Sequence, residues 1–415
     1  MLSQLYVANF KSIGDNGINI LPKPLTILTG PNGSGKSSIL EALCLLSQSV
    51  GQTELNFSGE FVKYGSPQSF MHKGDLGRLF QVSLTIAEAS SVSVPNPGVL
   101  YGHRYSPSEV LQRALRNGQE IVTMHYENGL TSFVHEEGVL LQSVPVSTDS
   151  RFVLHPGIFQ PRVATQPTLS QRLGDAVEAV KSISIFLRER FFFISAFRGG
   201  SEFFLNSGSA TDSRWVGTDG SMTNQILAKM FGSRLFDKQA ERVATWAEKF
   251  GLGGLKAGWA GSGRLRSDYI DTKMQDAVLE TALASHGSRQ ALSFITQIFW
   301  STPGTTLIIE EPEISLHPES QTLLPFLFAE AANRGVQIIV TTHSPFLISS
   351  LWKPVSEKAI AAKEIAVYHF EKGESGSSAM NLEVGSDGRL KEWIPSFEKV
   401  ESKILRDVLE SAPGA

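Results

Sequence analysis

The sequence predicts an α/β fold in which a largely parallel sheet is assembled from both ends of the chain, with an antiparallel β subdomain and an inserted helical region between them. Three observations predict it. Strand-like and helix-like segments alternate near both ends. A G-x-x-x-x-G-K-S run joins a strand to a helix near the start. Two apolar strands near the far end stop abruptly at acids and at a histidine.

Taken in order, Leu5 to Phe10 reads as an apolar strand, and a Gly/Pro-rich turn leads to a second at Leu25 to Thr29. A helix is expected from Ser37, with Ile39, Leu40, Leu43, Leu45 and Leu46 mainly on one side. Phe80 to Ile86, Glu120 to Tyr126, Leu130 to Val134 and Val139 to Gln142 alternate as antiparallel strands do. Thr168 to Arg190 has helical spacing and runs into a buried strand at Phe191 to Ile194. Ser221 to Phe250 is expected to be helical, Leu255 to Asp271 a glycine-containing hairpin, and Met274 to Trp300 a helix broken at Gly287. Strand Thr305 to Ile309, helix Glu319 to Asn333, strand Val336 to Thr341 and a last helix from about Ser396 complete the pattern. The expected division is 1–150 for the first part of the head, 151–280 for the insert with its return strand near 191–194, and 281–415 for the second part. No internal repeat or sustained heptad is visible, which argues against a long coiled-coil arm.

Composition narrows the class. With 415 residues, 41% hydrophobic and 19% charged, the chain can bury a sizeable core. It has no apolar run of membrane-spanning length, and its opening residues lack the layout of a secretory leader, so a cytoplasmic protein without a membrane partner is expected. The single cysteine, Cys44, excludes an intrachain disulfide and reads as a packing residue. A formal net charge of -4 offers no global attraction to phosphate backbones, so any DNA contact must come from a local patch.

Gly30-Pro31-Asn32-Gly33-Ser34-Gly35-Lys36-Ser37 stands where phosphate chemistry needs it, after a strand and at a helix N-terminus. Its glycines let successive N–H groups of Asn32, Gly33, Ser34 and Gly35 face one anion. Lys36 is expected to reach the outer phosphates of ATP, Ser37 to ligate Mg²⁺, and Ser38 to add a phosphate contact. The bland alternative is a chance glycine-rich turn.

Thr306-Leu307-Ile308-Ile309-Glu310-Glu311 is a buried strand ending in two acids. Carboxylates at the end of an apolar strand are costly without a cation or hydrogen bonds. Glu310 is therefore expected in the Mg²⁺ shell and Glu311 to polarise the attacking water, against the plainer reading that both begin a solvated loop. The later strand ends in Thr341-Thr342-His343-Ser344-Pro345. A lone histidine is more often structural, but this strand-end position suits a γ-phosphate sensor.

In this order, NFKSIGD, GPNGSGKSS, IIEEPEISLHP and TTHSP resemble the ABC-type P-loop ATPase heads of the RecF, SMC and OLD-like families, most closely the short bacterial OLD-like ATPases. The resemblance implies a homodimer, or a higher oligomer, closing through its ATP sites. It implies that Ser315 to Pro318 forms the D-loop, and that Ala284 to Gln290 is a degenerate signature motif. Ser285 and Gly287 would then grip the nucleotide of the partner, with a simple helix N-cap as the alternative. Arg198, in Phe197-Arg198-Gly199, is weighed as a nucleotide, interface or structural residue. Gln160, ahead of Gln68, is the choice for a glutamine loop, and Lys11 for a further nucleotide contact. OLD-family nucleases add a TOPRIM domain, but the residues after His343 lack its glutamate and Asp-x-Asp constellation. The output is thus expected to belong to a separate nuclease-like or toxin-like effector, within a bacterial antiphage complex. A RecF-like repair ATPase that clamps DNA is the main alternative, and a transporter subunit a weaker one.

Overall fold

The computed structural model describes residues 1–87, 95–127, 130–135, 138–145, 153–155, 167–199, 214–259, 265–392 and 394–395. Among them are three sheets. The central one orders its strands Phe191–Ile194, Thr306–Glu310, Gln337–Thr342, Leu25–Thr29, Ile365–Gly373, Gly376–Leu382. The first five run parallel and the last returns antiparallel. Strands from both ends of the chain thus interleave. An eight-stranded antiparallel sheet places Leu2–Ala8 between Ile18–Ile20 and Phe80–Ile86, then continues in sequence order through Pro97–Tyr105 to Gly138–Pro145. A small antiparallel sheet joins Gly253–Trp259, Leu265–Asp271 and Ala277–Glu280.

Strand periodicity divides the central sheet between two cores. Phe191, Phe193, Ile308 and Ile339 face a core shared with the antiparallel sheet and the helices Lys36–Ser49 and Pro167–Glu189. Phe192, Leu307, Ile309, Ile338 and Val340 face the other, packed by helices Thr223–Phe231, Asp237–Lys249, His286–Trp300 and Leu324–Asn333. Both faces are covered, which is why these strands read as unbroken apolar runs. Helix Pro167–Glu189 buries Leu173, Ala176, Val180, Ile183 and Leu187, one stripe at helical spacing. No helix among the described residues is long and apolar enough to cross a membrane.

Several elements differ from expectation, each for a local reason. Helix Lys36–Ser49 buries Ala42 and Cys44 as well as the expected Ile39, Leu40, Leu43, Leu45 and Leu46, because it lies between two sheets rather than on one. The first strand spans Leu2–Ala8 and ends at Asn9, whose φ of 56° is left-handed. Ser221 to Phe250 is two helices, parted after Gly232 where Ser233 caps a 3₁₀ turn. Met274 to Leu283 is not α-helical: Ala277–Glu280 pairs with Leu265–Asp271, a 3₁₀ turn spans Thr281–Leu283, and the α-helix starts at His286, with Gly287 inside it. Glu319 to Asn333 is interrupted between Gln321 and Leu324, where Pro325 opens the second helix. Pro97–Tyr105 and Ser108–Arg116 are strands that the sequence did not announce. The last helix, from Ser396, and Gln160 lie outside the described residues.

One buried amide joins the two large sheets. Gln337 Nε2 donates to Leu2 O at 2.8 Å and Lys23 O at 3.2 Å, while its Oε1 accepts from Leu2 N at 3.0 Å and Thr306 Oγ1 at 2.8 Å. Gln337→Leu keeps the volume and strands these groups, so it is expected to cost about 2–4 kcal/mol. In urea unfolding the midpoint should fall while the slope stays constant. An unchanged midpoint would show that the joint is dispensable.

Candidate functional site

Three parallel strands end at one edge of the sheet, where ligands of open α/β folds sit. In register, Glu310 lies opposite Thr341, and Thr342 opposite Thr29, the residue before the glycine-rich loop. The loop has left-handed Gly30, Gly33 and Gly35, with φ of 143°, 73° and 104°. Two of these glycines are also forced by a neighbour. A Cβ on Gly30 would stand 2.2 Å from Phe370 O, and one on Gly35 would stand 2.6 Å from Ser377 Oγ, because the C-terminal hairpin lies against the loop. At Gly33 a Cβ would meet open space, and Asn32 beside it is exposed.

Lys36 folds over its own loop, donating to Gly30 O and Pro31 O at 2.9 Å each. Burial pushes its pKa down to about 8, against the opposing pull of Glu311, Glu313 and Glu310. The Ser37 hydroxyl lies near enough to the Glu310 carboxylate to favour its charged form, which brings the two expected Mg²⁺ ligands together. Burial raises Glu310, and the charges of Glu41 and Glu311 add to that, against the Ser37 hydroxyl and the Ala196 amide. A half-buried carboxylate raised in this way suits a cation. Among the described residues no group of three acidic, histidine or cysteine side chains could hold a metal. Mg²⁺ fits regardless, because it is commonly held by one or two carboxylates plus substrate phosphates. Ser34 Oγ is buried without a partner in the same loop, and Ser38 Oγ lies 3.4 Å from Ser12 Oγ.

Glu311 follows with a φ of 43°, and its N–H donates to Thr341 O at 3.0 Å and Thr341 Oγ1 at 3.2 Å. His343 Nε2 stands 3.6 Å from Glu311 Oε1. Burial and then the Lys36 charge hold His343 below its ordinary value, Glu311 opposing, so it is neutral at neutral pH. The acids and the histidine therefore meet at one point with Lys36 and Ser37.

Other expected residues lie elsewhere. Ser285 is exposed and caps its helix, accepting from Ser288 N at 3.2 Å. Gly287 is buried against the turn at Ser315, where a Cβ would stand 2.3 Å from Ser315 O. Lys11 pairs with Glu41, 5.0 Å from the centre of the Tyr64 ring. Gln68 is exposed on a 3₁₀ turn. The strand beside the acidic one ends at Ile194, and the amide of Ala196, just beyond it, is the group on that side that favours the charged form of Glu310. Arg198 turns its guanidinium to the backbone of the acidic turn.

Two polar residues escaped the sequence reading. Glu313 Oε1 accepts from Thr342 Oγ1 at 2.6 Å and His343 N at 2.7 Å, and so fixes the histidine loop. Gln321 ties that loop to the turn at Leu316, donating to Leu316 O at 2.9 Å and accepting from Ser344 Oγ at 2.5 Å. The one available signal for Glu313 was its place in the acid-rich run.

Comparisons with known proteins agree with this geometry. Residues 256–349 match a family model described as "AAA domain, putative AbiEii toxin, Type IV TA system", and residues 4–64 match one described as "AAA domain". No curated protein matches. Among solved structures, an SMC head bound to the C-winged helix domain of ScpA is similar at 13% identity and a TM-score of 0.51, over 92% of this chain and 98% of that one. The SMC head domain from Thermotoga maritima is 15% identical with a TM-score of 0.41, over 92% and 99%. An SMC head with an extended coiled coil, bound to the C-terminal domain of ScpA from Pyrococcus furiosus, is 13% identical with a TM-score of 0.44, over 98% and 99%. The first likeness shows the fold, an α/β fold like that of an SMC head.

The depressed Lys36 pKa sets a pH signature for nucleotide binding. Above about pH 8 the free lysine loses its proton, whereas facing phosphates it keeps it, so binding takes up a proton there. Affinity for ATP should be flat below that pH and fall by up to about tenfold per unit above it. Titrations at pH 7, 8 and 9 read the slope. Its persistence in Lys36→Ala would place the titrating group elsewhere.

Proposed function

We propose that this protein is a Mg²⁺-dependent ATPase head that closes on nucleotide as a two-fold dimer, and that it is the sensor or scaffold subunit of a bacterial antiphage complex with a separate effector. The observation that carries the enzymatic part is the convergence of Lys36, the Ser37–Glu310 pair and the Glu311–His343 approach at three adjacent strand ends. A family description that names a toxin and a type IV TA system supports the defence setting.

In this reading Lys36 releases its own loop carbonyls and turns to the β and γ phosphates. Ser37 and Glu310 would hold Mg²⁺, which would supply neutralising charge for those phosphates. Glu311 orients a water and accepts its proton as the water oxygen attacks the γ phosphorus and the bond to the ADP oxygen breaks. Neutral His343, beside Glu311, can donate to the γ-phosphate. Glu313 has a different task, because its bonds to Thr342 and His343 make it the support of that histidine.

Lys36→Ala should abolish tight ATP binding. Glu311→Gln should keep binding and lose turnover by about 10²–10⁴-fold. Calorimetry and a phosphate-release assay separate the two. Normal turnover in Glu311→Gln would move the base to another residue.

A composite site makes a sharper demand. If each site takes Lys36, Glu310, Glu311 and His343 from one chain and Ser285 from the other, Lys36→Ala and Ser285→Arg fail for different reasons. A mixed dimer then rebuilds one intact site and doubly breaks the other. Mixing the two inactive proteins should restore part of the ATPase activity, with subunit exchange checked by tagged pull-down. Full activity in a Ser285→Arg homodimer would exclude the signature role.

A further inference from the structure

Arg198 is 3% exposed, in a loop that follows the edge strand Phe191–Ile194. A buried guanidinium needs several acceptors to offset its lost hydration. Here Nη1 donates to Ser195 O and Glu310 O at 2.7 Å each, and Nη2 to Glu311 O at 3.0 Å. The ring of Phe294 lies 5.4 Å from the guanidinium carbon. Two of the three acceptors are thus the backbone carbonyls of the acidic pair, approached from behind.

Glu311 needs such a grip. A left-handed glutamate is strained, and it persists only where its surroundings over-determine it. Its N–H is bound by Thr341 and its carbonyl by Arg198, so both of its peptide groups are tied. A rigid fork serves this purpose where a single ammonium would not.

The same loop reaches the helix that carries Ser285. Gly199 O accepts from Arg289 Nε at 2.9 Å, and a Cβ on Gly199 would stand 2.8 Å from Gln290 N. Arg289 Nη1 also donates to Ala282 O and Ala284 O at 2.9 Å each, immediately before Ser285. Two guanidiniums and one glycine therefore link the acidic turn to the exposed start of that helix.

We propose that Arg198 is a positioning residue that fixes the backbone of Glu310 and Glu311 and, through Gly199 and Arg289, makes the orientation of Glu311 depend on the seating of Ser285. The proposal rests on the reading of Glu310 and Glu311 as the hydrolytic acids. Closure of a partner onto Ser285 then bears directly on the residue that directs water. Arg198 itself touches neither phosphate nor water in this scheme.

The test uses Arg198→Lys and Arg289→Met in the full chain. Arg198→Met would strand three carbonyls and threaten folding, so the conservative lysine is the working variant. Each protein is measured for ATP affinity, for kcat and KM, and for hydrogen exchange across 308–316 without nucleotide. Both variants should bind ATP within about threefold of the parent. Both should lose kcat by about 10–100-fold, the scale of a small misplacement at a reacting centre, with KM little changed. Exchange across 308–316 should accelerate at least tenfold in each. A folded Arg198→Lys with kcat within twofold of the parent overturns the positioning role. Unchanged exchange across 308–316 in Arg289→Met overturns the link to Ser285. If the parent protein itself hydrolyses no ATP, the proposed function fails, and the exchange measurement still decides whether Arg198 and Arg289 hold the turn.

Discussion

The register of the central parallel sheet is the constraint on which everything else depends. Glu310 sits opposite Thr341, and Thr342 opposite Thr29, so the acidic turn, the histidine turn and the phosphate loop leave the sheet side by side. A slip of one residue would exchange the faces of a strand, sending Ile308 and Ile339 into the wrong core. Because both faces are buried in apolar cores, the cost of such a slip is mispacking, with side chains overfilling one core and leaving voids in the other, about 1–3 kcal/mol for each misplaced side chain. Gln337 adds a directional lock. Its four hydrogen bonds are met only when the first strand, the acidic strand and the histidine strand start at their observed levels.

Around that edge, polar groups hold one another in place. Thr341 fixes the amide of Glu311, Glu313 fixes the amide of His343, and Gln321 fixes Ser344 to the turn at Leu316. These bonds run between different turns, so no one turn can move alone. The phosphate loop is held differently: Phe370 and Ser377 press on its glycines, and Lys36 closes it from within. Replacing Lys36's carbonyl partners with phosphate oxygens changes one side chain and leaves the surrounding frame intact. Preorganisation of this kind spares the reaction the cost of ordering its own site.

The phosphate loop, the acidic strand and the histidine strand were legible because their chemistry and their periodicity are local. Leu25–Thr29 and Phe191–Ile194 stand at the boundaries the sequence suggested, and the parallel strands differ by one residue. What escaped was set by distant partners. Ala277–Glu280 looks helical in isolation and becomes a strand because Leu265–Asp271 offers it an edge. Pro97–Tyr105 and Ser108–Arg116 are polar at their shared end and carry too weak an alternation to declare themselves. Arg198 showed as a residue of interest, but its role depends on carbonyls more than a hundred positions away. No spacing rule reaches that far.

The charge balance of the site also explains why nucleotide and metal belong together. Among the described residues, Glu310, Glu311 and Glu313 share the charges of Lys36 and Arg198, and Arg198 is turned to the backbone behind them. His343 adds no charge at neutral pH, since burial and Lys36 both disfavour its protonation. A bare triphosphate would thus approach carboxylates with a single lysine to offset them. With a divalent cation held at Glu310 as proposed, the sign of that encounter would change: Glu310, whose carboxyl burial already holds above its ordinary value, would be relieved, and the phosphates would be shielded from Glu311. The same carboxylates that repel a free nucleotide would then attract its metal complex. On that proposal, preference for the metal-bound form follows from leaving Glu310 and Glu311 short of a cation of their own.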